Sequence, residues 1–183
     1  MNLTETDFKD LFVCEPMVFG DARGFFFEAF NENLFNQKSG LQVNFVQDNQ
    51  SFSTYGVLRG LHMQKGKFAQ AKLVRVLKGK ILDVVVDLRK GESTFGQHFS
   101  IELSENNKKQ LFIPRGFAHG FVVLSDIAEF FYKCDNYYYP QSELGILYND
   151  PDLNIDWGLL TSEIGISKKD RENKFFKEIL DKI

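Results

Sequence analysis

The chain has 183 residues, 43% hydrophobic and 26% charged, which fits one domain with a real core and excludes a disordered or collagen-like chain. Its 22 basic and 25 acidic residues leave a net charge of −3. No Lys/Arg stripe marks a nucleic-acid or membrane-surface partner, so an anionic ligand needs cations placed one at a time.

The first residues, MNLTETDFKD, are polar and acidic, with neither the basic nor the apolar region of a signal peptide. No apolar run approaches the roughly 20 residues that span a bilayer. From about residue 11 to 134, short runs of Val, Ile, Leu and Phe alternate with Gly, Asn, Asp and Ser, a strand pattern. A strand containing Phe25 to Phe30 is predicted first, then a short helix near Asn31 to Gln37. Strands follow at Ala71–Leu77, Ile81–Leu88, Phe99–Leu103 and Gly120–Leu124, with turns at Lys78-Gly79-Lys80 and Lys90-Gly91-Glu92-Ser93. A second helix is predicted to start around Ser167 and carry the tail, where Phe175, Phe176, Ile179 and Leu180 have helical spacing. There is no repeat or linker, so residues 1–183 read as one domain. The 20 phenylalanines suit broad sheet faces. The expected fold is all-β, an antiparallel sandwich or jelly roll with short peripheral helices. Cys14 and Cys134 are far apart and lack CxxC spacing; they read as buried thiols in a reducing cytoplasm, not as a disulfide or zinc site.

Three histidines are available for chemistry. Alternation puts His98 with Ser100 and Glu102, opposite Phe99, Ile101 and Leu103, as a solvated bystander. His62 has the parity of Leu58 and Gly60 on an inward face, as either a satisfied core imidazole or a desolvated general base. Ideal alternation puts Arg59 on the other face, so both reach one ligand only if Gly60 marks a bulge. His119, between Phe117 and Phe121, reads as a hydrogen-bonded turn residue, with ligand orientation at a barrel mouth the rival. None of the three has the close-spaced partner of an H-x-H metal motif; His62 is followed by Met63 and Gln64. Tyr132, Tyr137, Tyr138 and Tyr139 cluster before Pro140, as packing rings or as an acid. Ser167-Lys-Lys-Asp170 reads as a helix cap, while Asp170 has the rival role of orienting an imidazole.

The strings GVLRGLHMQ, AQAKLVRVLKG, DVVVDLRKGESTFG, LSENNKKQLFIPRGFAHGF, YKCDNYYYP, NDP and SKKD, in that order from about Val13 to Asp170, closely resemble the dTDP-4-dehydrorhamnose 3,5-epimerase family. The resemblance implies a cupin-type jelly roll, a homodimer and no metal or cofactor. It also implies inversion at C3 and C5 of a dTDP-4-keto-6-deoxyhexose on the way to dTDP-L-rhamnose. By motif match, His62 is the base, Asp170 its partner and Tyr132 the acid, while Lys72 and His119 look like ligands to the keto sugar. Arg59 resembles a phosphate position. Arg23 and Glu28, Gln47 and Asn49, Tyr138, Glu143 and Lys169 fall toward the nucleotide end, with Tyr138 a stacking candidate. Met63, Tyr148 and Gly158 depart from the usual aromatic, Trp and Pro, and the segment 158–166 is slightly longer than usual. These departures bear on the loop presenting Asp170 and on the balance of C3 and C5 chemistry. The chemistry agrees with the match: a proton beside a ketone needs a positioned base, enolate stabilisation and, for inversion, a donor on the opposite face. The alternatives are a C3- or C5-only epimerase, a keto-isomerase, or a non-catalytic nucleotide-sugar-binding cupin.

Overall fold

The computed structural model describes residues 1–183 and is built around two antiparallel sheets packed face to face. The first sheet runs β1 (Asn2–Glu5), β2 (Phe12–Glu15), β10 (Gln110–Ile113), β7 (Lys72–Lys78), β12 (Ile127–Cys134) and β5 (Gln47–Thr54) in spatial order. The second runs β13 (Glu143–Gly145), β6 (Val57–Gln64), β11 (Phe117–Val123), β8 (Lys80–Asp87) and β9 (His98–Ser104). A short strand, β14 (Gly165–Ile166), lies parallel to the start of β6. β3 (Phe19–Asp21) and β4 (Gly24–Phe26) form a separate hairpin.

Period-two patterning sets which face each strand buries. Val74 and Val76 on β7, Ala128 and Phe130 on β12, and Ile81 and Val85 on β8 meet between the sheets with Phe121 and Val123 of β11. Intervening residues such as Leu73 on β7, Val84 and Val86 on β8 and Val122 on β11 are buried too, where the outer faces are covered. On the first sheet, Leu73 and Phe112 pack under Phe35 of α1 (Glu32–Ser39); fully burying one such ring contributes about 1.5–3 kcal/mol. On the second, Leu61, Met63, Val84 and Val122 lie beneath Ile146, Leu153, Trp157 and Ile179 of the C-terminal segment.

The expected all-β class and the strand positions from Ala71 onward match this architecture, with β11 beginning at Phe117, ahead of Gly120. The predicted helix near Asn31–Gln37 is α1. Asn31 caps it, its Oδ1 accepting from Leu34 N–H (3.1 Å), and Gly40 ends it at φ 72°.

Two expectations fail. The strand containing Phe25 to Phe30 ends at Phe26: Phe30 leaves the hairpin to pack on Phe45 and Phe35, with ring centroids 5.1 and 6.0 Å away. The tail is two short pieces, α2 (Lys168–Arg171) and α3 (Phe176–Ile179), and not one helix. Between them the chain bridges to Ile146, Leu147 N–H donates to Lys174 O (3.0 Å), and Phe176 N–H donates to Asp150 Oδ2 (2.5 Å). These tertiary hydrogen bonds override the helical spacing of the apolar residues.

Candidate active site

Strand β6 carries the irregularity that builds the site. His62 pairs with His119 and Arg59 with Phe121, so Gly60 and Leu61 together oppose the single residue Gly120. This extra residue is a β-bulge. It requires glycine on both strands: Gly60 has φ +122°, and a Cβ there would come 2.5 Å from Gly120 Cα and 2.8 Å from His119 O. The bulge turns Arg59 and His62 toward one cavity, as anticipated if Gly60 broke the alternation, while Leu58, Leu61 and Met63 pack on the opposite, outer face. The shared face expected for His62 and Leu58 is thereby corrected.

That cavity measures about 780 Å³ and opens between the two sheets; a second, of about 280 Å³, adjoins it. Asn49, His62, Lys72 and Tyr132 line both and so mark their junction. His62 projects from the second sheet, and Lys72 and Tyr132 from the first. Arg59, Lys72, Lys169 and Arg171 give the larger cavity a positive lining in an acidic chain.

Asp170 reaches His62 from α2. Its Oδ1 lies 2.5 Å from His62 Nε2, and its side chain is 5% exposed. Ser167 Oγ accepts from the Asp170 N–H (3.1 Å), so the cap expected of Ser167 is present while the carboxylate turns away to the imidazole. Burial alone would raise the Asp170 pKa. Hydrogen bonding to His62, the imidazole's charge, Ser167 and the Gly60 backbone outweigh it and hold the carboxyl below its ordinary value. In the tautomer this contact selects, Nε2–H donates to Asp170 and the basic lone pair is on Nδ1. The departures nearby are accommodated. Gly158 sits at φ +70°, which proline cannot adopt, and Tyr148 O accepts from Trp157 Nε1–H (2.8 Å). The long 158–166 segment then returns as β14 along β6 and delivers Ser167.

Lys72 lies 5.8 Å from the centre of the Tyr132 ring. Burial lowers the Lys72 pKa, opposed by Cys134, Asp83 and Glu143. Burial likewise raises that of the Tyr132 phenol, keeping it protonated. His119 is a buried strand residue and not part of a turn, with Nε2 2.9 Å from Asp83 Oδ2. Asp83 was missed by the motif reading. A lone carboxylate inside the apolar run Ile81–Val86 was the available signal, since a buried carboxylate needs a partner. Asp83 Oδ1 has no hydrogen-bond partner at all.

The smaller cavity joins Gln47, Asn49, Tyr138 and Glu143. Gln47 Nε2–H donates to Asn49 Oδ1 (3.1 Å), and its Oε1 accepts from Tyr138 N–H (3.0 Å). Two expected site residues lie elsewhere in the single chain. Arg23 pairs with Asp21 on the β3–β4 hairpin (2.6 Å), and Glu28 Oε2 accepts from Asn31 Nδ2–H (3.2 Å); neither lines these cavities. His98 is half-buried and also stands apart from them.

Comparison with known proteins identifies the family. The family profile described as dTDP-4-dehydrorhamnose 3,5-epimerase matches residues 5–178. The Escherichia coli K12 dTDP-4-dehydrorhamnose 3,5-epimerase is 53% identical over 170 residues, 93% of this chain and 91% of that one. A Legionella pneumophila dTDP-6-deoxy-D-glucose-3,5-epimerase, solved with dTDP-4-keto-L-rhamnose, superposes with TM-score 0.93 at 48% identity, covering 97% of this chain and 94% of its own. A Streptomyces bikiniensis 3′-monoepimerase in complex with dTDP-quinovose is more distant, at 30% identity and TM-score 0.87, covering 95% and 87%. With a profile matched over nearly its whole length and relatives at half identity, the chain belongs to the dTDP-4-dehydrorhamnose 3,5-epimerase family.

Proposed function

We propose that this chain inverts C3 and C5 of dTDP-4-dehydro-6-deoxy-D-glucose to give dTDP-4-dehydro-L-rhamnose, using its own side chains as base and acid. The observation that carries the reading is the placement of His62 and Tyr132 on opposite sheets at the junction of two cavities. A proton beside the C4 ketone leaves to His62, whose imidazolium is stabilised by Asp170. The ammonium of Lys72 meets the negative charge that develops on the C4 oxygen, with His119 beside it, in a site where burial strengthens the interaction. Tyr132 then delivers a proton to the other face of the ring, and one ketone serves both carbons in turn. Arg59 takes the diphosphate by charge-assisted hydrogen bonds. Gln47, Asn49, Tyr138, Glu143 and Lys169 hold the nucleotide end, Tyr138 by stacking. A fold shared with a 3′-monoepimerase leaves regiochemistry to the site's details, and the relatives near 50% identity, named for both centres, favour double inversion.

A homodimer in the cytoplasm belongs to the same proposal. The β3–β4 hairpin exposes Phe19, Phe25 and Phe26 at 59, 61 and 70%, an apolar surface suited to a second copy. Arg23 and Glu28 stand on or beside that hairpin and in a dimer would serve the partner's nucleotide end. No helix is long and apolar enough to cross a membrane.

The test is deuterium wash-in from D₂O at C3 and C5, read separately by NMR. His62→Ala is expected to lose both exchange and inversion by the roughly 10²- to 10⁴-fold typical of general base catalysis. Full activity in that variant refutes the assignment.

A further inference from the structure

Glu143 stands between the nucleotide end and the base. Its Oε2 accepts from the Tyr138 hydroxyl (2.8 Å) and its Oε1 from Lys169 Nζ (2.6 Å). That same Oε1 lies 4.0 Å from His62 Nε2. The carboxylate is recessed at 14% exposure, whereas the lysine is 62% exposed. One carboxylate oxygen therefore holds a solvent-facing ammonium and stands within charge-interaction distance of the imidazole.

The other groups facing His62 do not duplicate this arrangement. Asp170 on α2 is already committed to Nε2. Arg59 on β6 leans on β5, its Nε–H donating to Ser53 Oγ (3.1 Å), and Lys72 on β7 and Arg171 on α2 line the cavity without an ion pair to Glu143. His119 on β11 is held by Asp83, and Tyr132 on β12 stays neutral. Lys169 alone of these cations sits on a carboxylate that also lies within 4.0 Å of the base.

We propose that Glu143 is a positioning residue that sets the basicity of His62 according to whether Lys169 is engaged on it. While Lys169 neutralises Glu143, the imidazole faces a compact ion pair. A nucleoside diphosphate that draws Lys169 into its own charge-assisted bonds leaves an unneutralised carboxylate beside the ring, which favours the imidazolium. Filling the nucleotide end thus strengthens the base only when a substrate of the right class is present. The ligand class rests on the function proposed above; the coupling of Lys169, Glu143 and His62 rests on geometry alone.

The test is an NMR titration of the histidine side chains, with the His62 signal assigned by its loss in His62→Gln. Lys169→Met, which frees Glu143 with no ligand present, is expected to raise the His62 midpoint by about half to one pH unit, the size of one screened charge near 4 Å. Glu143→Gln lowers it by a similar amount, and Glu143→Asp restores part of the loss. In Glu143→Gln/Lys169→Met the Lys169 effect falls to less than about half. Added dTDP raises the midpoint more in the wild-type protein than in Glu143→Gln, where only the direct effect of the ligand's charge remains. An unmoved midpoint in Glu143→Gln, or an equal Lys169→Met effect in both backgrounds, overturns the proposal. These readouts need no turnover. If the midpoints shift as stated while the keto sugar exchanges no protons, the function proposed above fails and the coupling stands.

Discussion

Asp170→Asn keeps the shape of the side chain and removes its charge. The residue is 4% exposed, and Oδ1 lies 2.5 Å from His62 Nε2, so little water is available to replace the lost interaction. A hydrogen bond to a charged group contributes about 1.5–3 kcal/mol, and this one strengthens as the imidazole takes up the substrate proton. Most of it therefore acts on the transition state, and its loss corresponds to a roughly 10- to 150-fold fall in kcat. The acidic limb of kcat/KM, which reports the free enzyme's base, moves to lower pH by about one to two units because the imidazolium has lost its partner. Stability follows with a defined sign. The folded-state pKa of Asp170 is depressed, so its contribution is present above the ordinary carboxylate range and fades as pH falls through the folded value; the Asn variant lacks that pH-dependent part. The assay is turnover followed by NMR across pH, with acid unfolding by circular dichroism. A kcat within about twofold of wild type and an unmoved acidic limb would refute the base–orienter pairing.

Tyr132→Phe keeps the ring and should still form the enolate, so solvent deuterium enters C3 or C5 faster than inverted product accumulates; equal loss of both in D₂O removes the two-face assignment. Gly60→Ala forces a Cβ against Gly120 and a φ of +122° on alanine. About 3 kcal/mol of combined strain lowers Tm by roughly 6–12 °C, and a Tm equal to wild type in calorimetry contradicts the bulge. Burial pushes the Cys134 thiol up to about 11, so disulfide-exchange reagents at pH 8 are expected to label it slowly until the protein unfolds; rapid labelling of the native protein contradicts that environment. No group of three His, Cys, Asp or Glu side chains is arranged to hold a metal ion, and prolonged chelation should leave activity unchanged; loss with EDTA and recovery with a divalent ion would displace Lys72 as the enolate stabiliser.

The strands were legible because short apolar runs between turn residues, as in Lys72–Lys78, and period-two alternation, as in His98–Ser104, are recorded directly in the order of residues. The helix near Asn31 to Gln37 was placed from the sequence, and the structure supplies the local hydrogen bond that caps it at Asn31. The motifs placed His62, Lys72, Tyr132 and Asp170 as candidates but could not bring them together, since Asp170 is 108 positions from His62 and meets it through a long return segment. The tail read as one helix from its spacing, and only the bonds of Lys174 and Phe176 to a distant segment break it.

By itself, the sequence determined what is local or periodic: the all-β class, the alternation of strands such as His98–Ser104, the Ser167 cap, and the residue types that proton transfer beside a ketone requires. The tertiary structure alone decided what depends on register and on residues far apart in the chain. The bulge at Gly60 put His62 on the cavity face with Arg59 and parted it from Leu58, because one extra residue moves every side chain beyond it to the other side of the sheet. Packing of β8 against β11 gave the buried Asp83 its histidine. Arg23 and Glu28 are left away from the cavities, Arg23 held by Asp21 on its own hairpin and Glu28 by Asn31.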